Sequence, residues 1–454
     1  ASVALAACAV ALGACVVALG GAGCSAVLDF HECNTTADCA SRGATLYCNP
    51  DHQCIDPSPC YISEDATAAG TPLVIAGLYL ESKPSDGPND HAIRQAVDLA
   101  TIELNDQMVP VRHVACDTGG DVTVAQHAFD LAVEQFKAVA VVGPNTSDEL
   151  LALAADARAR GVAVVSPAAS AAAIADIPDD NLIWRTCGSD NLQAKVLATL
   201  VPPGDSLDVL WVTHDSYTEG LQKAFCAAAD CTNATPIQFD TGHAADAVAQ
   251  MNGPQYAVLI ADYDAPGLVA ALAGAPGQSM TQYLMTDSAL TPTLWGTGPF
   301  DFTFLTRIRG TAPALPAFSD PSGPVYAAFD ASYRAQWNEL PSQTAFVANA
   351  YDATYAIAIG AAAAAGGPVT GSAIAGQLAR MSDASGTVVH VGPAEYQAGV
   401  NALIGGGDID LVGTSGPIDW DAKGDVITAP IEVWQVADDG TGMPTFKVLS
   451  TTNP

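Results

Sequence analysis

The stretch from residue 139 to residue 170 restricts the possible folds more than any other part of the chain. It begins with Val139–Val142, a short unbroken apolar run of the kind that forms a strand buried on both faces of a parallel sheet. Gly143 and Pro144 end this run, and a second apolar run, Val162–Val165, follows after an interval of helix length. Parallel neighbouring strands need such a crossover. The stretch therefore predicts an α/β fold.

The interval between the two runs predicts a helix. Ser147 stands where a helix N-cap is expected, and Asp148 and Glu149 place acidic side chains in the first turn, where the helix dipole favours them. An apolar stripe follows, formed by Leu150, Leu151, Leu153, Ala154 and Ala157. Gly161 is typical of the residue just beyond a helix C-terminus. The unit is therefore read as strand, helix and strand.

Two loops in this unit predict a ligand site. In an open parallel sheet, the loops at the carboxyl ends of strands line the ligand crevice, so Gly143–Ser147 and Ser166–Ser170 should face one site. Both loops offer hydroxyls, small side chains and unpaired backbone N–H groups, which suit a carboxylate or a similar small acceptor. The alternative is purely structural, with Ser147 capping its helix and Ser170 starting the next element.

The same alternation of strands and helices continues on both sides of this unit. The predicted strands are Leu73–Leu80, Val111–Cys116, Leu207–Thr213, Tyr256–Ala261, Tyr283–Thr286, Ile418–Trp420 and Ile431–Val436. A helix is predicted after most of them, and two more at Pro324–Trp337 and Thr344–Ala365. The pattern predicts two doubly wound parallel-sheet lobes. Two such lobes imply a cleft between them that can close by hinge motion.

Charge excludes one class of partner. The 454 residues include 49 acidic and 16 basic side chains, which gives a net charge of -33. Such a surface repels nucleic acid and anionic lipid headgroups. No nucleic-acid partner is expected.

The amino-terminal residues predict export. Residues 1–23 are apolar, uncharged and rich in Ala and Gly, as in the apolar part of a signal peptide. Gly21–Ser25 resembles a bacterial lipoprotein cleavage box, which makes Cys24 the expected lipidated residue. Cys15 lies in a better-matching box, but cleavage there would leave the apolar Val16–Leu19 run on the mature protein. An uncleaved membrane anchor is the alternative.

The cysteines are concentrated after this segment. Residues 24–63 predict a small disulfide-rich module, with bridges among Cys33, Cys39, Cys48 and Cys54 that leave Cys60 without an assigned partner. A zinc site is disfavoured because the segment lacks a CxxC pair. The remaining disulfide candidates are a local pair, Cys226 with Cys231, and Cys116 with Cys187, which can pair only if the fold brings them together.

The order and spacing of short motifs resemble the type I periplasmic binding proteins, specifically the leucine/isoleucine/valine-binding group that serves ABC importers. The matching segments are Val141–Pro144 with Ser147, Val165–Ser170, Trp184–Thr186 with Ser189 and Asp190, Asp215–Tyr217 with Gly220, Ala350–Ala353, Gly413–Trp420 and Lys423–Asp425. The likeness extends from about Leu73 to the end of the chain.

The resemblance implies a division into lobes. Lobe one would contain residues 73–187 and 311–413, and lobe two residues 188–310 and 414–454, after a linker at residues 64–72. The three crossings between the lobes would lie near Arg185–Ser189, Arg309–Ala312 and Thr414–Pro417.

The resemblance also implies a ligand set. Ser147 and Ser170 would hold an amino acid's carboxylate, while the Ala168 carbonyl and Asp287 would hold its amino group. Tyr217 would close over the ligand from lobe two, and Tyr263 is a weaker match for a second aromatic. Asp148 and Glu149 lie beneath the carboxylate position and would oppose an anion unless they point away.

The sequence therefore predicts an exported, lipid-anchored binding protein of the periplasm or cell envelope, which captures a small polar solute for an ABC permease. The alternative is a ligand sensor or surface interaction protein with the same two lobes. An enzyme is disfavoured because GxSxG, HExxH and GxxxxGK[ST] motifs are missing from the sequence. No cofactor or metal is predicted.

Overall fold

The structure, a computed structural model, describes residues 33, 35, 38, 47–48, 54–55, 58–83, 87–275, 280–291, 293–316, 320–364 and 366–454. It forms two compact units, residues 1–58 and residues 59–454. In the first unit, Tyr47–Cys48 (β1) and Cys54–Ile55 (β2) pair as antiparallel strands with Cys48 opposite Cys54, and Cys33 is disulfide-bonded. The predicted export segment, Cys15, Cys24 and Cys39 lie outside the described residues.

The second unit contains both lobes. The first lobe is built on a six-stranded sheet. Its strands in chain order are Cys60–Glu64 (β3), Leu73–Tyr79 (β4), Val111–Asp117 (β5), Ala140–Val142 (β6), Ala163–Ser166 (β7) and Ile183–Arg185 (β8). They lie in the order β3-β5-β4-β6-β7-β8, and all pairs are parallel except β3 with β5. Helices Gly87–Asp106 (α1), Val122–Glu134 (α2) and Ser147–Arg160 (α3) connect these strands. The strand, helix and strand predicted from residues 139–170 are all present.

A seven-stranded sheet forms the second lobe. Its strands are Leu207–Val212 (β9), Thr235–Phe239 (β10), Tyr256–Ile260 (β11), Gln282–Met285 (β12), Ile308–Pro313 (β13), Ile431–Asp438 (β16) and Pro444–Thr452 (β17). The order is β10-β9-β11-β12-β13-β16-β17, parallel as far as β13 and antiparallel beyond it. Its helices are Asp190–Ala198 (α4), Ser216–Ala229 (α5), Ala244–Val248 (α6), Ala265–Ala273 (α7) and Phe302–Leu305 (α8).

The chain then returns to the first lobe. It forms Gly323–Trp337 (α9), Val347–Ala363 (α10), Gly371–Leu378 (α11), Tyr396–Ile404 (α12) and a parallel pair of strands, Thr387–His390 (β14) and Ile409–Val412 (β15). Helix α10 is buried over nearly its whole length and lies in one hydrophobic core with α1 and the first sheet. Its many alanines allow neighbouring helices to approach closely.

Two boundaries differ from the sequence prediction. Ile418, Trp420 and Val426 belong to the first lobe's core, so the second lobe resumes at β16 and not at residue 414. The predicted strand Ile418–Trp420 is replaced by isolated bridges. Strand β13 lies wholly in the second sheet, so the middle crossing comes after Pro313 and not at Arg309–Ala312.

The disulfides require a further correction. Cys60 is bonded to Cys116, because β3 runs antiparallel to β5 and places these two residues opposite each other. The suggested pairing of Cys116 with Cys187 is therefore wrong, and Cys187 is a buried free thiol. Residues 60–64 accordingly belong to the first lobe and not to the cysteine-rich module. Cys226 and Cys231 form the expected local bridge at the end of α5.

Along the described part of the chain, no helix is both long enough and apolar enough to cross a bilayer.

Candidate functional site

A cavity of about 130 Å³ lies between the lobes. Its walls come from segments that follow strands of both sheets and from the start of α1, as expected for a crevice at the carboxyl ends of parallel strands. The lining residues are Leu80, Asn89, Asp90, Ile93, Gly120, Asn145, Thr146, Ser147, Asp148, Ala168, Ser170, Asp215, Tyr217, Asp262, Tyr263, Asp287, Ser288, Leu290, Ala345 and Phe346. All six residues expected to bind the ligand are among them.

The turn after β6 brings Ser147 to the cavity. Gly143 has a φ of +102°, and a Cβ there would lie 2.8 Å from the Leu78 carbonyl oxygen, so the tight turn needs glycine. The N-cap of α3 is Thr146, whose hydroxyl accepts a hydrogen bond from Glu149 N at 3.3 Å. The prediction of Ser147 as N-cap is therefore wrong by one residue, because Thr146 has the extended backbone that a cap requires.

Because Thr146 caps the helix, the Ser147 hydroxyl is not used as the cap. Its Oγ accepts a hydrogen bond from Ala171 N at 3.1 Å, which ties α3 to the loop after β7. A hydroxyl that accepts one hydrogen bond can still donate its own hydrogen. Ser147 can therefore donate to an acceptor in the cavity.

The loop after β7 is fixed from both ends. Ser166 Oγ donates to the Pro144 carbonyl at 2.6 Å and accepts from Ala169 N at 3.0 Å. Asp190 N donates to the Ser170 carbonyl at 2.9 Å. Ala168 and Ser170 thus lie in a loop whose shape is set by its own hydrogen bonds, which limits the entropy lost on binding.

In the second lobe, Tyr217 and Asp287 form a pair. The Tyr217 hydroxyl donates to Asp287 Oδ1 at 2.7 Å and lies 2.8 Å from Thr286 Oγ1. Asp287 is only 5% exposed, and burial raises the pKa of its carboxyl. Burial and the neighbouring Asp287 also raise the pKa of the fully buried Asp190, to about 8. A positive group placed beside Asp287 would therefore relieve an unfavourable concentration of acid.

Tyr263 lies on the wall opposite the first lobe. The Lys83 ammonium, from the loop after β4, sits 3.2 Å from the centre of the Tyr263 ring. This cation–π contact joins the two lobes directly. One face of Tyr263 is thus in contact with Lys83.

The two acidic residues that seemed to oppose an anion do not converge on it. Asp148 Oδ1 accepts a hydrogen bond from Ser216 N at 3.1 Å, at the start of α5 in the other lobe. Glu149 is fully buried, and burial raises the pKa of its carboxyl to about 7. Near neutral pH much of Glu149 is uncharged, and Asp148 is engaged across the cleft. The expected conflict with a bound carboxylate is therefore much reduced.

Buried carboxyls also make stability depend on pH. Burial raises the pKa of Asp190 to about 8, of Glu149 and Glu432 to about 7 and of Asp352 to about 6. Their unfolded values lie near 4, so above pH 4 the folded chain holds protons that the unfolded chain releases. The stability contributed by these groups is therefore full below about pH 4 and falls as pH rises from about 4 to about 8.

We expect the melting temperature to be several degrees higher at pH 5.5 than at pH 9, measured by calorimetry. A difference of one unit between a group's folded and unfolded pKa changes the free energy of unfolding by about 1.4 kcal/mol. Glu149→Gln should flatten the dependence between pH 5.5 and pH 7, below the folded pKa of this carboxyl. A melting temperature that rises with pH over this range would contradict the assignment.

Several cavity residues were missed by the sequence reasoning. Asn89 and Asp90 lie in the first turn of α1, Asn145 lies in the β6 turn, and Phe346 precedes α10 with a φ of +68°. The only usable signal was their position next to predicted strand or helix ends. In the described residues, no group of three or more His, Cys, Asp or Glu could hold a metal ion.

Comparison with known proteins gives consistent matches. The family model described as "Periplasmic binding protein" matches residues 73–441. A curated relative, the chemotactic signal transduction system substrate-binding protein BasB of Halobacterium salinarum, is 26% identical over 395 residues, covering 82% of this chain and 89% of BasB.

Two solved structures illustrate the shared fold. The branched-chain amino acid transporter substrate-binding protein LivJ of Streptococcus pneumoniae, in complex with isoleucine, has a TM-score of 0.63 and 20% identity, covering 85% of this chain and 100% of LivJ. A solute-binding protein of Rhodopseudomonas palustris HaA2, in complex with p-hydroxybenzoic acid, has a TM-score of 0.67 and 14% identity, covering 84% and 97%. At these identities the structures share the fold, and their ligands differ in chemistry.

Proposed function

Because the chain belongs to the periplasmic binding protein family, of the type I kind, we propose that it binds an α-amino acid in the cavity between its lobes. One observation carries the proposal. Four residues expected to hold a carboxylate and an ammonium, with two aromatic residues expected to contact the ligand, come from two lobes and line a single cavity. The family consists of binding proteins and not enzymes.

The first lobe supplies the carboxylate end of the site. Ser147 can donate its hydroxyl hydrogen, and the amino terminus of the 14-residue helix α3 points its dipole toward the same region. Ser170 lies in the adjoining loop and offers a second hydroxyl. Charge-assisted hydrogen bonds of this kind contribute about 1.5–3 kcal/mol each.

The second lobe supplies the ammonium end. Asp287 is a buried carboxylate next to the cavity, and Tyr217 fixes its orientation. An ammonium between Asp287 and the Ala168 carbonyl would have one partner from each lobe. A ligand that contacts both lobes stabilises the closed arrangement and shifts the population toward it.

Delivery to an ABC permease, with a lipid at Cys24 retaining the protein at the cell envelope, completes the proposed role. BasB favours a second candidate, because that relative belongs to a chemotactic signalling system. In that case the same closed form would be recognised by a receptor. Uptake of the bound amino acid by cells that lack this chain, compared with their chemotaxis toward it, would separate the two roles.

The test is a thermal-shift screen of the twenty amino acids with benzoate and 4-hydroxybenzoate, followed by calorimetry. At least one amino acid should raise the melting temperature, and the aromatic acids should not, since they lack an ammonium for Asp287. Ser147→Ala should then weaken binding by about 10- to 100-fold through the lost hydrogen bond. Its unfolding free energy should be measured as well, because Ala171 N also loses a partner. Saturable binding of benzoate alone would refute the proposal.

A further inference from the structure

One part of the cavity wall has acceptors without donors. Asn145 Nδ2 donates to Asp90 Oδ1 at 2.5 Å, and since a carboxylate accepts hydrogen bonds, this contact fixes the orientation of the Asn145 amide. Its Oδ1 is then left without a partner and without contact with solvent. Asn89 Oδ1, in the same wall, has neither a partner nor solvent contact. Leaving such a buried group unpaired is unfavourable, because it has lost its hydrogen bond to water and gained none in exchange.

The charges around the cavity have one sign. The acidic lining residues are Asp90, Asp148, Asp215, Asp262 and Asp287, and the described lining residues include no Lys, Arg or His. The Lys83 ammonium, which contacts the Tyr263 ring, offsets only part of this negative charge. An α-amino acid with a neutral side chain brings no net charge to this environment. A guest with a further positive charge is attracted to it.

Apolar side chains lie in the same wall. Leu80 and Ile93 line the cavity beside Asp90, whose carboxylate also accepts a hydrogen bond from Leu80 N at 3.0 Å. The wall therefore combines an apolar surface with acceptors near the amino terminus of α1. That combination fits an aliphatic stem that ends in a hydrogen-bond donor.

We propose that Asn89, Asp90 and Asn145 form a side-chain subsite that selects amino acids with an aliphatic stem and a cationic end, an amine or a guanidinium. This inference rests on the proposed function, since the α-amino and α-carboxyl groups occupy the site described above. The cationic end lies beside the Asp90 carboxylate, where a small rotation of the Asn89 and Asn145 amides gives it the two unpaired oxygens as acceptors. A branched aliphatic side chain leaves those oxygens unpaired.

The test compares L-lysine with L-norleucine, which has the same stem and lacks the amine. Calorimetry on the full chain at low ionic strength should show lysine binding at least about tenfold more tightly, as expected for a hydrogen bond to a charged donor. The lysine advantage should shrink with added salt. Asn89→Ala breaks no protein hydrogen bond of the described structure, and it should weaken lysine binding several-fold while changing norleucine binding less than twofold.

Asn145→Ala should have a similar effect, and Asn401→Ala, at an exposed position on α12, serves as the matched control with no effect. Norleucine binding as tightly as lysine, or Asn89→Ala and Asn145→Ala affecting both ligands equally, would overturn the subsite and leave the amino-acid function standing. If no amino acid binds in the screen, the proposed function and the subsite fail together.

Discussion

Replacing Asp287 with asparagine is expected to weaken binding of the amino-acid guest by about 100-fold. The reason is that the guest's ammonium would enter a buried position and meet a neutral amide, and a charged hydrogen bond lost there is worth up to about 3 kcal/mol. Asparagine keeps the size of the side chain and an oxygen that can accept from the Tyr217 hydroxyl. The loss should therefore appear in affinity and not in folding, measured by calorimetry and by urea unfolding.

The matched control is Asp246→Asn, which removes one acidic charge from an exposed position in the same lobe. It should leave affinity within about twofold. Tyr217→Phe is a graded test, because it removes the hydroxyl that orients Asp287 and leaves the carboxylate in place. An Asp287→Asn protein that binds as tightly as Asp246→Asn would show that the ammonium lies elsewhere.

The affinity for the amino acid should also depend on pH. Burial raises the pKa of Asp287 in the empty site, so a fraction of the protein carries a proton there that an incoming ammonium displaces. Affinity therefore rises with pH, while the stability of the empty protein falls. The two trends are compatible, because the guest's ammonium brings a positive charge next to the ionised Asp287 carboxylate.

The sequence predicted the elements whose signals are local. Helix α3 was predicted between the two apolar runs of residues 139–170 and ends at Arg160, immediately before the expected Gly161, since an apolar stripe lies between a polar turn and that glycine. The strands of residues 139–170 were recognised for the same reason. Both sheets were therefore foreseeable in outline, with most boundaries correct within a few residues.

The missed features depend on distant partners. Strand β3 is short and half polar, and what makes it a strand is β5, more than fifty residues later. Its Cys60 had no partner in the sequence analysis because the pairing with Cys116 exists only once the sheet has formed. Strands β10 and β17 were missed because their exposed residues interrupt the apolar pattern.

The site residues also divide into those with a local sequence signal and those without one. Ser147 and Ser170 were located because a turn follows an apolar strand, whereas Asn89 and Asn145 have no pattern of their own. Ser147 was assigned as the helix cap, yet Thr146 fills that role, since both residue types are good caps and only backbone angles distinguish them. That one-residue difference decides whether the Ser147 hydroxyl can serve a ligand.

An ion pair between Arg185 and Asp425 stabilises the segments that cross between the lobes. Arg185 is 1% exposed, its Nε donates to Asp425 Oδ1 at 2.7 Å, and its Nη2 lies equally close to that oxygen. Arg185 Nη1 donates to the carbonyls of Ala169 and Ala171, at 3.3 and 3.0 Å. One guanidinium therefore ties the first crossing to the segment before the third and also holds the loop that contains Ala168 and Ser170.

Arg185→Met is expected to lower the free energy of unfolding by about 3–5 kcal/mol, because Asp425 becomes a buried charge without its partner. It should also weaken amino-acid binding, since the carbonyls of Ala169, in the Ser166–Ser170 loop, and of Ala171, just after it, each lose a hydrogen bond. Urea unfolding and calorimetry measure the two effects. Arg158→Met, which breaks an exposed pair with Asp180, should leave the urea midpoint nearly unchanged.

The double variant Arg185→Met with Asp425→Leu separates the two contributions. Removing both charges should restore much of the stability, because no buried charge is left unpaired. The affinity should stay low, because the carbonyls of Ala169 and Ala171 still lack their donor. Recovery of affinity together with stability would mean that Arg185 acts on the site only through the fold. Low affinity in a stable double variant would show that the same side chain that joins the crossings also shapes the binding loop.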